Sequence, residues 1–217
     1  MKEDILEQLV EDYYVSKPGW FVKHNVKYRP DKNQPNYNSR QDSIHSEIDI
    51  IAVNRISGDV EVVSCKSRLK GLKIKKMIKY IETKEITESR ELLSEKWKEA
   101  FLKTIEEETG KKDFTYVIAV TKLLQEEKKS ELERKIKEIF RTQDSKVEFK
   151  ILKLEEIVNE AINRITPRPE STDAGRITQL FNAANIIKFP TKTEITVKRK
   201  TRRPARARIR RIRRMRL

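Results

Sequence analysis

Cysteine is nearly absent: Cys65 is the only one in 217 residues. One thiol forms no internal disulfide, which fits a reducing compartment. Histidine is almost as scarce. His24 and His45 are the only two, and with no ligand spacing between them each reads as an ordinary polar residue. No apolar run approaches the length of a membrane span. The opening Met-Lys-Glu-Asp-Ile-Leu-Glu is amphipathic and acidic, unlike a signal peptide. A cytoplasmic location is expected by elimination.

Charge is abundant: 38% of residues are charged and 36% apolar, so the chain is polar but can build a core. The formal net charge is +15, and it is unevenly placed. Residues 198–217 hold twelve Lys or Arg and no acid, which leaves +3 for residues 1–197. A mildly basic body carries a concentrated cationic tail, suited to phosphate polymers through counterion release.

Residues 46–68 are the densest stretch of chemistry. Two Val- and Ile-rich runs flank Ser57-Gly58-Asp59, which predicts a β-hairpin. Strict alternation would send Glu47 and Asp49 to one face of the first strand, and Ser64 and Lys66 to one face of the second. An acid and a lysine set in apolar strands are costly unless they meet each other, water or a metal.

Periodicity organises the rest. A helix is expected over 2–16, with Leu6, Leu9, Val10 and Tyr13 as its apolar stripe and Pro18-Gly19 ending it. A strand is expected over 20–29, then a polar surface loop over 30–45 in which Arg40 and His45 could face a phosphate backbone. After the hairpin come helices over 70–82 and 88–109, a buried strand over 113–121 and a helix over 124–141. A strand over 147–153 and a helix over 154–165 follow. This order describes an α/β fold, one mixed sheet with helices on its faces. Lysines 70, 73, 75, 76 and 79 surround the apolar stripe of the 70–82 helix. They form either a solvated face or a track for DNA phosphates. Three segments follow: an α/β domain over 1–165, a linker and small appendage over 166–197, and the Arg-rich tail over 198–217. The appendage could hold a short helix at 174–186 and a short strand at 192–198. A disordered tail is expected, because repulsion among its arginines disfavours a helix until an anion neutralises it.

The hairpin resembles that of the PD-(D/E)xK nuclease superfamily, near archaeal Holliday-junction resolvases and small restriction-type endonucleases. The family pattern Glu-Ile-Asp-Ile-Ile-Ala is matched at residues 47–52, and Lys66-Ser67 matches the end of the second strand. Ser64 stands where the family carries its second acid. The resemblance covers about residues 1–125. It implies a restriction-endonuclease-like mixed central sheet flanked by helices, here with a basic C-terminal tail, and a metal-dependent DNA endonuclease. In that reading Glu7, Asp49 and Lys66 are catalytic, with Glu11 in reserve for Glu7. Mg²⁺ or Mn²⁺ would be held by Asp49, Glu7 and the backbone carbonyl of Cys65, with Ser64 at the degenerate position and Glu47 as a further donor. Lys66 would orient the attacking water or stabilise developing charge.

Glu61 does not simply replace the missing acid, because it lies three residues from Ser64 and a regular strand sends it to the other face. A bulge would change that parity. Three outcomes stay open: a metal held by Glu7, Glu47 and Asp49 without that acid, a neighbouring acid migrated in, or a site that keeps the fold only for binding. Nucleic acid, as double-stranded or branched DNA, is the expected partner. The residues expected to contact it are Arg40, Arg68, Lys70, Lys73 and Lys76, and in the tail Arg202, Arg203, Arg206, Arg208, Arg210, Arg211, Arg213 and Arg214. Relatives of this kind often form two-fold homodimers. The competing reading is a catalytically inactive nuclease-fold protein that binds DNA or RNA through its tail and basic helix.

Overall fold

A computed structural model describes residues 5–34, 36–84, 90–141 and 145–164, with positions 176, 177, 179–181 and 184 beyond them. Helix α1 (Ile5–Val15) leads into strand β1 (Trp20–Tyr28), and a one-turn helix α2 (Ser39–Asp42) lies in the loop before the hairpin. The hairpin is β2 (Ser46–Asn54) and β3 (Val60–Lys66). A two-residue strand β4 (Leu72–Lys73) precedes α3 (Ile74–Thr83), and α4 (Arg90–Leu93) precedes α5 (Glu95–Thr109). Then come β5 (Phe114–Val120), the short β6 (Leu123–Leu124), α6 (Lys129–Ile139), β7 (Val147–Lys153) and α7 (Leu154–Arg164).

The main sheet runs β1-β2-β3-β5-β7. Its first two pairings are antiparallel and its last two parallel, so the fold is mixed α/β with helices on both faces. The expected elements form in the expected order. The hairpin turns where Gly58 adopts φ +77°, and the Asn54 side chain accepts from the backbone N–H groups of Ile56 and Ser57.

Each face has its own core. On one, α3, α4, α5 and α6 cover Val60, Val62, Phe114, Tyr116, Ile118 and Val120. An aromatic cluster of Tyr28, Trp97, Phe101, Phe114, Tyr116 and Phe140 fills its centre, with centroids 5.2–6.2 Å apart. On the other, α1 and the start of α7 cover Ile50, Ala52, Val63, Val117 and Ala119. Helix α1 presents Leu6, Val10 and Tyr14 inward, a stripe rotated from the predicted one, with Leu9 and Tyr13 on its flank.

Three boundaries differ from expectation. Residues 72–73 do not begin the helix; they pair as β4 with β6 in a small parallel sheet. Gly71 (φ +83°) makes the approach possible, since an added Cβ there would lie 2.8 Å from the Lys122 carbonyl oxygen. The 88–109 helix is two helices, because Ser94 is extended (φ −139°) between α4 and α5. The 124–141 helix starts only at Lys129, after Gln125 takes a left-handed conformation (φ +67°).

No helix among the described residues is long and apolar enough to cross a membrane. Of the expected 174–186 helix, positions 176, 177 and 179–181 are described and helical. The 192–198 strand, the rest of the 166–197 appendage and the 198–217 tail with its arginines lie outside the described residues.

Candidate functional site

Side-chain alternation along the hairpin is not strict, and the exception falls at Asp49. Ile48 joins the core under α3–α6, yet Ile50 and Ala52 join the core under α1. Strand β1 switches in the same place: Trp20 and Val22 pack on the α1 side, Val26 and Tyr28 on the other. The β1–β2 ladder pairs His24 with Ile50 and Val26 with Ile48, and skips the step between them. Asn25, opposite Asp49, has φ +50°, a left-handed conformation that asparagine tolerates better than most residues. Both strands therefore kink at one level. Irregularities of this kind re-aim a side chain out of the regular pleat.

The kink separates the two acids that alternation put together. Lys27 and Glu47 face each other across the ladder and form an exposed ion pair at 3.9 Å. Their neighbours Val26, Tyr28 and Ile48 point to the α3–α6 core, so Glu47 points away from it. Asp49 instead feels Lys66 and Glu91, and its charge reaches the phenols of Tyr28 and Tyr116 on the α3–α6 side. Its Oδ2 accepts the backbone N–H of Cys65 at 2.5 Å. Burial pushes its pKa above the usual carboxylate value. The Cys65 N–H and Lys66 oppose that rise, and Glu91 and Glu47 add to it.

On β3 alternation holds. Val60 and Val62 face the α3–α6 core while Val63 and Cys65 pack on the α1 side, so Ser64 and Lys66 fall on the α3–α6 face. Glu61 falls on the other, as its parity requires. It accepts the Tyr14 hydroxyl from α1, with Lys150 Nζ 3.2 Å away. Burial and the Glu61 charge push the Tyr14 phenol far up. Glu61 is thus committed to the far side of the sheet.

Lys66 lines a pocket with Arg68, Leu72, Lys73, Lys76, Met77, Tyr80, Ile81, Leu92 and Leu93. Three of the expected nucleic-acid contacts, Arg68, Lys73 and Lys76, thereby gather beside the hairpin lysine. Lys70 is exposed in the turn before β4. Arg40 is exposed on α2, which is tied to α5 by Asp42 and Lys96 at 2.5 Å. Glu7 is half-buried on α1, the helix that covers the opposite face of the sheet. Glu11, the reserve for Glu7, lies 3.0 Å from His24 Nε2.

Glu91 is the residue that sequence reasoning missed. It is 5% exposed, and its two carboxylate oxygens accept the hydroxyls of Tyr28 at 2.8 Å and Tyr116 at 2.7 Å. Burial and the Glu91 charge push both phenols far above their ordinary value. A second carboxylate therefore stands near Asp49, on the same face as Ser64, supplied by α4 rather than by the hairpin. Nothing in the sequence marked it: the helix break beside three successive buried residues, Glu91, Leu92 and Leu93, shows only in the fold.

Among the described residues no three His, Cys, Asp or Glu side chains gather as a metal-binding group. Comparison with protein-family models, curated sequences and solved structures gave no match to this chain.

Proposed function

We propose that this chain is a metal-dependent DNA endonuclease with a restriction-endonuclease-like fold, of the PD-(D/E)xK type. The observation that carries this reading is the approach of Asp49 and Lys66 from neighbouring strands, at a kink in the sheet, beside a cation-lined pocket. Hydrolysis of a phosphodiester builds negative charge on the phosphate, and a preorganised ammonium stabilises it. Lys66 is that ammonium. Asp49, the Ser64 hydroxyl and the Cys65 carbonyl are oxygen donors, the kind a hard cation requires. These residues would hold Mg²⁺ or Mn²⁺, cations that need only one or two protein carboxylates. Bound there, the cation supplies polarisation of the phosphate and a lowered water pKa. The substrate is duplex or branched DNA met in the cytoplasm, and a two-fold dimer would set two such sites across a duplex.

The test is nicking of supercoiled, linear and branched DNA with Mg²⁺ or Mn²⁺. Cleavage should fall by about 10²-fold or more in Asp49→Ala and in Lys66→Ala. Cleavage indifferent to both substitutions overturns the reading. Removing residues 198–217 should flatten the dependence of binding on salt, since each lost phosphate contact lowers the log–log slope by about 0.9.

Ser64 favours one second reading, a nuclease-fold protein that binds nucleic acid without cutting it. Its outcome is salt-sensitive binding with no metal-dependent cleavage of any DNA form.

A further inference from the structure

The pocket beside Lys66 is built in two parts. Its cations are Lys66, Arg68, Lys73 and Lys76, and its walls are Leu72 of β4, Met77, Tyr80 and Ile81 of α3, and Leu92 and Leu93 of α4. Among the described residues the lining contains no acid. Some lysines elsewhere on the body are matched to carboxylates, as in Lys23–Glu108, Lys98–Glu95, Lys135–Glu82, Lys137–Glu133 and Lys153–Glu126, and others, such as Lys75 and Lys79 of α3, are not. Lys73 and Lys76 form no ion pair among the described residues. The Lys76 ammonium lies 5.2 Å from the centroid of the Tyr80 ring, so a cation borders an aromatic face. The cavity is narrow, about 50 Å³, room for the edge of a planar ring rather than a bulky ligand.

A bare phosphate would use the cations and leave the walls idle. An apolar group would use the walls and leave several cations unneutralised. A ligand that is anionic at one end and flat and apolar at the other satisfies both. We infer that this pocket holds one unpaired nucleotide of the bound strand, its phosphate on Lys73 and Lys76 and its base stacked on the Tyr80 ring with one edge between the leucines. Bases have a π-face that stacks on aromatic side chains whatever their identity, and a base is free to enter only where it is unpaired. Because Lys66 belongs both to this pocket and to the Asp49 neighbourhood, the held nucleotide fixes which phosphodiester lies beside Asp49. This inference rests on the nucleic-acid reading above and narrows its substrate to DNA with unpaired nucleotides, as at a branch or flap.

The experiment measures binding of the full chain to labelled single-stranded oligothymidine and to an oligonucleotide of the same length and charge made of abasic residues. Chelator is present so that nothing is cut. Wild type should bind the base-bearing strand on the order of tenfold tighter. Tyr80→Ala should bring the two affinities together and leave the salt slope unchanged. Lys76→Gln should lower the salt slope and leave the base preference in place. Tyr80→Leu keeps apolar volume without the aromatic face and reports the same loss should the alanine variant fail to fold. Equal wild-type affinity for the two strands, or a preference that survives both Tyr80 variants, overturns the pocket. Base preference without metal-dependent cleavage leaves the pocket standing and sinks the endonuclease reading alone.

Discussion

The Asp49 carboxylate accepts the backbone N–H of Cys65 at 2.5 Å, a bond that reaches from the kinked level of β2 to the end of β3 beside Lys66. It holds the acid beside the end of β3, while burial and the Glu91 charge raise the cost of its ionisation. The folded pKa lies above the ordinary 3.8. Folding therefore favours the protonated form, and stability falls as pH rises from 3.8 through the folded pKa, then stays reduced. Asn at this position keeps an acceptor for the Cys65 N–H and carries no charge. Asp49→Asn should raise the melting temperature at pH 7, with the gain shrinking towards pH 3, and should abolish metal-dependent cleavage. Thermal unfolding at the two pH values checks the first part. Equal shifts at both would mean that the charge is not what burdens the fold.

Glu91 joins strands that are not neighbours, Tyr28 of β1 and Tyr116 of β5, through one carboxylate. Glu91→Ala takes the carboxylate acceptor from two buried hydroxyls, leaving Tyr28 only the Ser46 hydroxyl beside it. Each such loss costs about 1–3 kcal/mol, so destabilisation of roughly 3 kcal/mol is expected from denaturant titration. Glu91→Gln retains an acceptor and should cost less. It also removes a negative neighbour of Asp49, so the acidic limb of the cleavage–pH profile should move to lower pH. A limb that stays in place would show that Glu91 is only a structural strut.

The hairpin, the order of the main elements and the buried β5 run were legible because each is a local signal: β-branched runs, a Gly58-Asp59 turn, an amphipathic period. The position of Asp49 was not. Strict alternation pairs it with Glu47, and the kink that separates them depends on one left-handed residue, Asn25, in a strand without Gly or Pro. Glu91 was hidden for a related reason. A single helix over 88–109 explains Trp97, Phe101 and Ile105, and only the extended Ser94 frees α4 to turn three successive residues inward. Asp42 was hidden in a polar loop, where tertiary burial leaves no periodic trace.

Asp42 is fully buried. It accepts from Lys96 Nζ at 2.5 Å and from the Asn38 N–H at 2.6 Å. Lys96 also donates to the Asn36 carbonyl at 3.0 Å, so the pair ties the 36–42 segment to α5. Burial raises the Asp42 pKa, but the bonds from Lys96 and Asn38 outweigh it and hold the carboxyl below 3.8. Its contribution is present above 3.8 and is lost as pH falls through the folded pKa. Asp42→Ala leaves a partly buried ammonium without its partner and should cost about 3 kcal/mol at pH 7. The deficit relative to wild type should narrow under strong acid. A constant deficit across pH would point to lost packing rather than a lost charge pair.

Ser64 separates the two readings of this fold most directly. It lies on the α3–α6 face with Lys66, two residues along β3, beside the kinked level that carries Asp49. A hydroxyl adds no charge to Asp49, so on the endonuclease reading a cation here would depend on the substrate for further ligands. Ser64→Glu places a second hairpin carboxylate near Asp49 and Glu91. Without a cation, three acids on one face repel, so the variant should melt below wild type in chelator. With millimolar Mn²⁺ the deficit should be recovered, because a ligand that binds only the folded state stabilises it by RT ln(1 + [L]/Kd). Calorimetric titration of Mn²⁺ into the variant and the wild type gives the same comparison as an affinity. A variant that gains nothing from Mn²⁺ would show that this end of the sheet cannot assemble a cation site even with the missing acid restored, and would leave binding without cleavage as its chemistry.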